Sequence, residues 1–176
     1  MTADAAVAAA VARLQRGDAE EAEAARIQLA AVVAEAPTHA DAWYWWAAAQ
    51  DRLGRESTAI PAYEASLQLG TQYTAEAHAF LASSLEKTWR AEAALPHIEA
   101  ALGLDPGNAL FLTILGNVCA ALGLSERAGD AYARAVAANP SLGYAWHQLG
   151  QWQGAHGQAA GAAAHFDRAW ALGYRG

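Results

Sequence analysis

One cysteine, Cys119, and one lysine, Lys87, stand in a chain of 176 residues. A lone thiol closes no intramolecular disulfide, so the fold needs no oxidising compartment. The arginines lie scattered between Arg13 and Arg175 without a run, and 11 basic against 18 acidic side chains leave a formal net charge of -7. Binding a phosphate backbone needs a clustered basic stripe, which excludes nucleic acid as a partner, and a basic membrane-surface helix is excluded on the same ground. No stretch offers the roughly 18 uninterrupted apolar residues of a membrane helix. The apolar start, Met1 to Leu14, carries Asp4 where an export signal has its basic residues, so a cytoplasmic location is expected.

Catalytic signatures are also scarce. Glycines are isolated and form no phosphate-cradling loop, and serines 57, 66, 83, 84, 125 and 141 have no nucleophile elbow around them. Cys119 has no histidine placed nearby in its segment to deprotonate it, which favours a buried structural thiol over a nucleophile. His147, His156 and His165 fall on a helix, a turn and a second helix, without the i, i+4 pairing or adjacent carboxylate that a metal site needs. No metal, no cofactor and no enzymatic activity are expected.

What is abundant is alanine. It dominates a hydrophobic content of 55% and is the strongest helix former, with almost no side chain to bury. Seven Trp and six Tyr must supply the bulk that alanine lacks. Self-alignment shows how they are spaced. Leu112-x-x-Leu115-Gly116 and Trp146-x-x-Leu149-Gly150 stand one 34-residue period apart, each followed by Gly (Gly123, Gly157), Ala-x3-aromatic (Ala128 with Tyr132, Ala162 with Phe166) and Ala (Ala135, Ala169). The same landmarks step back to His78, Leu81, Ala82, Ala94 and Ile98. With one extra residue in the linker Leu69 to Thr74, they step back again to Trp43, Trp46, Ala47, Ala59 and Tyr63. Four repeats are therefore expected at 40–74, 75–108, 109–142 and 143–176. Residues 2–37 read as an atypical N-terminal cap with Arg26 in place of the aromatic.

This pattern resembles the tetratricopeptide-repeat family, whose signature is Trp-x2-Leu-Gly-x2-Tyr, then Ala-x3-Phe, then Pro. The resemblance covers essentially the whole chain as one domain. It implies an all-α fold, a right-handed superhelical solenoid of stacked helix-turn-helix units with a concave groove. Departures are His78 and Leu112 for the first Trp, Thr71 for a turn proline, and Trp89 where Gly54, Gly123 and Gly157 make the turn. A bulky residue adopts positive φ at a cost, so a differently shaped turn is expected at Trp89. Pro61 and Pro96 are expected in the first turn of their helices, where a missing N–H matters least.

By the family's register, the groove-facing positions include Asp41, Tyr44 and Trp45; Glu76, Phe80 and Ser83; Ile114 and Asn117; His147 and Gln151. No basic residue is among them. The carboxylate clamp by which family members grip chaperone tails is missing, so Hsp70 and Hsp90 C-termini are not expected ligands. An aromatic and aliphatic floor bordered by acids suits a protein or peptide partner, apolar and carrying some basic residues, bound as by a bacterial-style adaptor. The alternative reading is that Tyr44 and Trp45 only pack between neighbouring units. A second expectation is a homodimer that covers Phe166 and Trp170 on the last helix.

Overall fold

The computed structural model describes residues 2–176. Among them are ten helices and no strand: α1 (Ala3–Arg16), α2 (Ala19–Glu35), α3 (Ala40–Arg52), α4 (Glu56–Leu69), α5 (Thr74–Lys87), α6 (Ala91–Leu104), α7 (Ala109–Ala121), α8 (Ser125–Ala138), α9 (Gly143–Ala155) and α10 (Ala159–Ala171). They form two compact units, one ending at Thr88 and one running Trp89–Gly176. In the first, α1 packs on α2 and α3 on α4, while α3 also touches α1 and α5. In the second, α7 packs on α8 and α9 on α10, with α6 and α9 both against α7.

Short polar side chains start several of these helices. Thr2 accepts from the Ala5 N–H at 3.3 Å, Asp18 from Glu21 at 2.7 Å, and Asn108 from Leu110 and Phe111 at 3.1 and 3.3 Å. Each satisfies an otherwise orphaned donor and contributes about 1 kcal/mol. Asp4, Glu20 and Glu21 place negative charge in first turns, and Arg13 and Arg16 sit in the last turn of α1, as the helix dipole favours.

Packing within each hairpin follows small-against-large pairing. Ala47 and Ala59 are fully buried around Tyr63. At Gly116 the fit is tighter, because a Cβ there would lie 2.2 Å from the Tyr132 ring. Only glycine lets that ring lie flat on the α7 backbone. The first landmark tryptophan has a second role: Trp43 Nε1 donates to the Pro37 carbonyl at 2.8 Å, and Trp146 Nε1 to the Pro140 carbonyl at 2.9 Å. The indole thus tethers the turn that precedes its own helix.

Two expectations are corrected. Trp89 does not reshape its turn: it takes φ 62°, beside 67°, 73° and 74° at Gly54, Gly123 and Gly157. The turn geometry prevails over residue preference at a cost of about 1–2 kcal/mol. Pro61 and Pro96 are the sixth residues of α4 and α6, in the second turn rather than the first. The tight turns start those helices earlier, so the bonds to the Ser57 and Glu92 carbonyls are absent and both prolines sit on the exposed side. Among the described residues, no helix is long and apolar enough to cross a membrane.

Candidate functional site

In the first unit α1, α3 and the α4–α5 loop enclose a cleft of about 370 Å³. Val7, Val11, Ala8 and Ala12 line it from α1, Trp45 from α3, and Tyr73 from the loop. Its polar lining is Asp4, Gln15, His39, Asp41 and Gln72, with no lysine or arginine. His39 joins the two sides: its Nε2 lies 2.9 Å from Asp4 Oδ1 while Nδ1 accepts from the Ala42 N–H at 3.3 Å.

Asp41 braces the loop that closes this cleft. Oδ1 accepts from Thr71 Oγ1 at 2.6 Å and from the Gln72 N–H at 3.1 Å, and Oδ2 accepts from the Gln72 side-chain amide. Burial alone would raise its pKa, but these three hydrogen bonds outweigh it and hold the carboxyl below its ordinary range. The brace positions Tyr73, whose ring stacks on Tyr44 at 4.6 Å and meets Trp45 edge-on at 5.2 Å. Tyr44 is only 4% exposed and also meets Trp45 edge-on at 5.0 Å. Burial, reinforced by the nearby Glu76 charge, pushes its phenol pKa up. Tyr44 therefore supports the half-buried Trp45 from beneath. Glu76, Phe80 and Ser83 are half-buried on α5, with the Phe80 ring 6.4 Å from that of Tyr63.

Behind this surface lies a half-buried carboxylate. Tyr63 Oη donates to Asp51 Oδ2 at 3.1 Å and Ser84 Oγ to Asp51 Oδ1 at 2.7 Å. Desolvation nevertheless dominates and raises the Asp51 pKa above its ordinary 3.8, with Ser84, Lys87 and Tyr63 opposing it. Glu86 is likewise pushed up by burial.

The second unit answers the same packing problem without charge. Tyr132 Oη donates to Asn117 Oδ1 at 2.9 Å, Gln148 Nε2 donates to the same oxygen at 2.7 Å, and Asn117 Nδ2 donates to Tyr144 Oη at 2.6 Å. Asn117 is thus satisfied by protein. Ile114 is 4% exposed, His147 lies between the rings of Phe166 and Tyr174 at 5.4 and 5.2 Å, and Gln151 is exposed. On α10, Phe166 and Trp170 are 37% and 63% exposed, with the Arg175 guanidinium 3.9 Å above the Trp170 ring. Cys119 is buried, which pushes its thiol pKa up. At the α7–α8 turn, His156 stacks on Trp152 and its Nε2 lies 2.6 Å from Ser125 Oγ, joining the start of α8 to the end of α9.

The structure brings Asp41 and Trp45 together at one cleft, while Tyr44 is buried against Trp45 and Tyr73 and does not line it. It adds to them the α1 face and Tyr73, which the repeat register did not indicate. The signal for α1 was the Val7, Val11 spacing on a helix already read as a cap. Tyr73 stands in the linker that carries the extra residue.

No family model matches the chain, and no curated protein matches it. Solved structures do. MamA from Desulfovibrio magneticus RS-1 is 22% identical, with a TM-score of 0.76 over 97% of this chain and 94% of that one. PilF from Pseudomonas aeruginosa is 19% identical, with a TM-score of 0.79 over 99% of this chain and 78% of that one. YrrB, described as a TPR protein with an unusual peptide-binding site, is 19% identical, with a TM-score of 0.66 over 87% and 78%. At these identities the likeness establishes the fold: the chain has the all-α helical solenoid fold of tetratricopeptide-repeat proteins.

Proposed function

We propose that the chain is a non-enzymatic protein-interaction scaffold whose first unit binds an apolar segment with one or more basic side chains. The observation that carries this reading is the cleft itself, an apolar floor with Trp45 at its wall, carboxylates in its lining and no cation. Trp45 lies against Tyr44 and Tyr73, which fixes its ring and lowers the entropy lost on contact with a partner. Aromatic anchors of this kind dominate binding energy, and a Lys or Arg placed near Asp4 adds register. Glu76, Phe80 and Ser83 extend the surface along α5. In the second unit, Ile114, Asn117, His147 and Gln151 form the corresponding part of the reading, with Gln151 the most available. The peptide-binding site in the YrrB description accords with this use of the fold. The lack of a basic clamp argues against chaperone C-terminal tails. The single reduced thiol suits the cytoplasm.

Selection from a displayed peptide library against the full chain tests the proposal. Selected peptides should combine apolar residues with Lys or Arg, and Trp45→Ala should weaken them by about 2 kcal/mol, roughly 30-fold. Phe80→Ala should weaken them less. Peptides bound equally by wild type and both variants would show that the assignment is wrong.

Self-association through α10 is a second reading, favoured by the 63% exposure of Trp170. Light scattering should then show a dimer that Trp170→Glu dissociates, and a monomer at high concentration refutes it.

A further inference from the structure

The α5–α6 turn carries an unexplained feature. Trp89 is 94% exposed, and it is the only non-glycine with positive φ among the described residues. The three corresponding turns meet the same geometry with glycine, which bears neither the strain nor the exposure. Within the described residues no ring or cation stacks on the indole. The residues on either side of it are nonetheless held: Thr88 Oγ1 donates to the Ser84 carbonyl at 2.8 Å, and the Arg90 carbonyl accepts from Ala93 and Ala94 at 3.1 Å. The turn therefore presents a large apolar ring from a held stretch of backbone, and only the side chain's own rotamers remain to be fixed on binding. Next to it Arg90 is exposed and, among the described residues, forms no ion pair. Tryptophan and arginine are the two side chains that most often anchor protein interfaces.

A receptor for this pair must be concave, apolar and acidic. The first-unit cleft has that chemistry: Val7, Val11 and Trp45 form its walls, Asp4 is at hand for a guanidinium, and no lysine or arginine lines it to repel one. Asp4 is 91% exposed and its second oxygen has no protein partner among the described residues. From this complementarity we infer that Trp89 and Arg90 of one copy insert into the cleft of a second copy of the chain. The inference rests on the cleft reading given above and names its partner. Knob and cleft are different surfaces, so the contact is heterologous and builds head-to-tail oligomers rather than a closed twofold dimer.

Sedimentation velocity on the full chain over a wide concentration range tests this. Wild type should show a weight-average mass that keeps rising past the dimer. Trp89→Gly should weaken association about tenfold or more. Because this change relieves backbone strain, it should also raise the thermal midpoint by about 2–4 °C, which separates lost contact from lost folding. Asp4→Arg should weaken association as well, with unchanged helicity by circular dichroism. The two variants retain complementary halves of the contact, so their equimolar mixture should form a dimer that does not extend. A wild-type monomer at millimolar concentration overturns the inference and leaves the cleft free for other partners. Association that is lost in Trp89→Gly but unchanged in Trp45→Ala and Asp4→Arg also overturns it, and counts against the cleft reading too.

Discussion

Tyr63 and Tyr132 occupy the same place in two repeats, both buried, yet their hydroxyls are received differently. In the first unit the acceptor is the Asp51 carboxylate, shared with Ser84; in the second it is the Asn117 amide, shared with Gln148. The backbone cradle differs as well, with Ala47 in the repeat of Tyr63 and Gly116 directly under Tyr132. The comparison teaches that a repeat position fixes the shape of a knob but leaves its polar end to the local surroundings. A carboxylate answers with stronger hydrogen bonds and a larger desolvation cost, an amide with weaker bonds and a smaller cost.

The largest effect should come from closing the cradle. Gly116→Ala places a Cβ 2.2 Å from the Tyr132 ring, which must leave its position, and chemical denaturation should report a loss of about 3 kcal/mol. Gly150→Ala should cost less, since its clash is with the partly exposed Phe166 at 2.9 Å, a ring with room to shift. Next, Tyr63→Phe should cost about 1.5–3 kcal/mol near neutral pH, because it strips a donor from a half-buried carboxylate. Tyr132→Phe should cost only about 1 kcal/mol, since Asn117 keeps Gln148. Equal losses would show that the charge on Asp51 has no part in the difference.

The smallest effect is in pH dependence. Burial raises the Asp51 pKa in the folded chain, so folding favours its protonated form. That contribution is complete below the ordinary value of 3.8 and is lost as pH rises through the raised one. Thermal midpoints of wild type should therefore fall relative to Asp51→Asn as pH increases across that window. Asn117→Asp should import a similar slope into the second unit. A wild-type profile parallel to that of Asp51→Asn would remove the distinction.

The hairpins were legible because their spacing is covalent: Leu115-Gly116 and Tyr132 recur as landmarks of a fixed 34-residue period. The cleft was legible only in part. Asp41 and Trp45 follow from register, whereas Val7 and Val11 lie on a helix whose partner has Arg26 in the aromatic position, so the pair read only as a cap. Tyr73 stacks on Tyr44 across the intervening α4, a contact that no local periodicity carries. At Trp89 residue preference alone is a poor guide, because hydrogen bonds on both flanks set the turn's geometry.

An amide-resolved NMR titration of the full chain with a display-selected peptide tests the central claim most directly. Shifts should concentrate on the α1 face from Asp4 to Gln15, on Asp41 and Trp45 of α3, and on Tyr73. Shifts confined to the second unit, or to α2 and α4 with α1 and Trp45 unmoved, would contradict it.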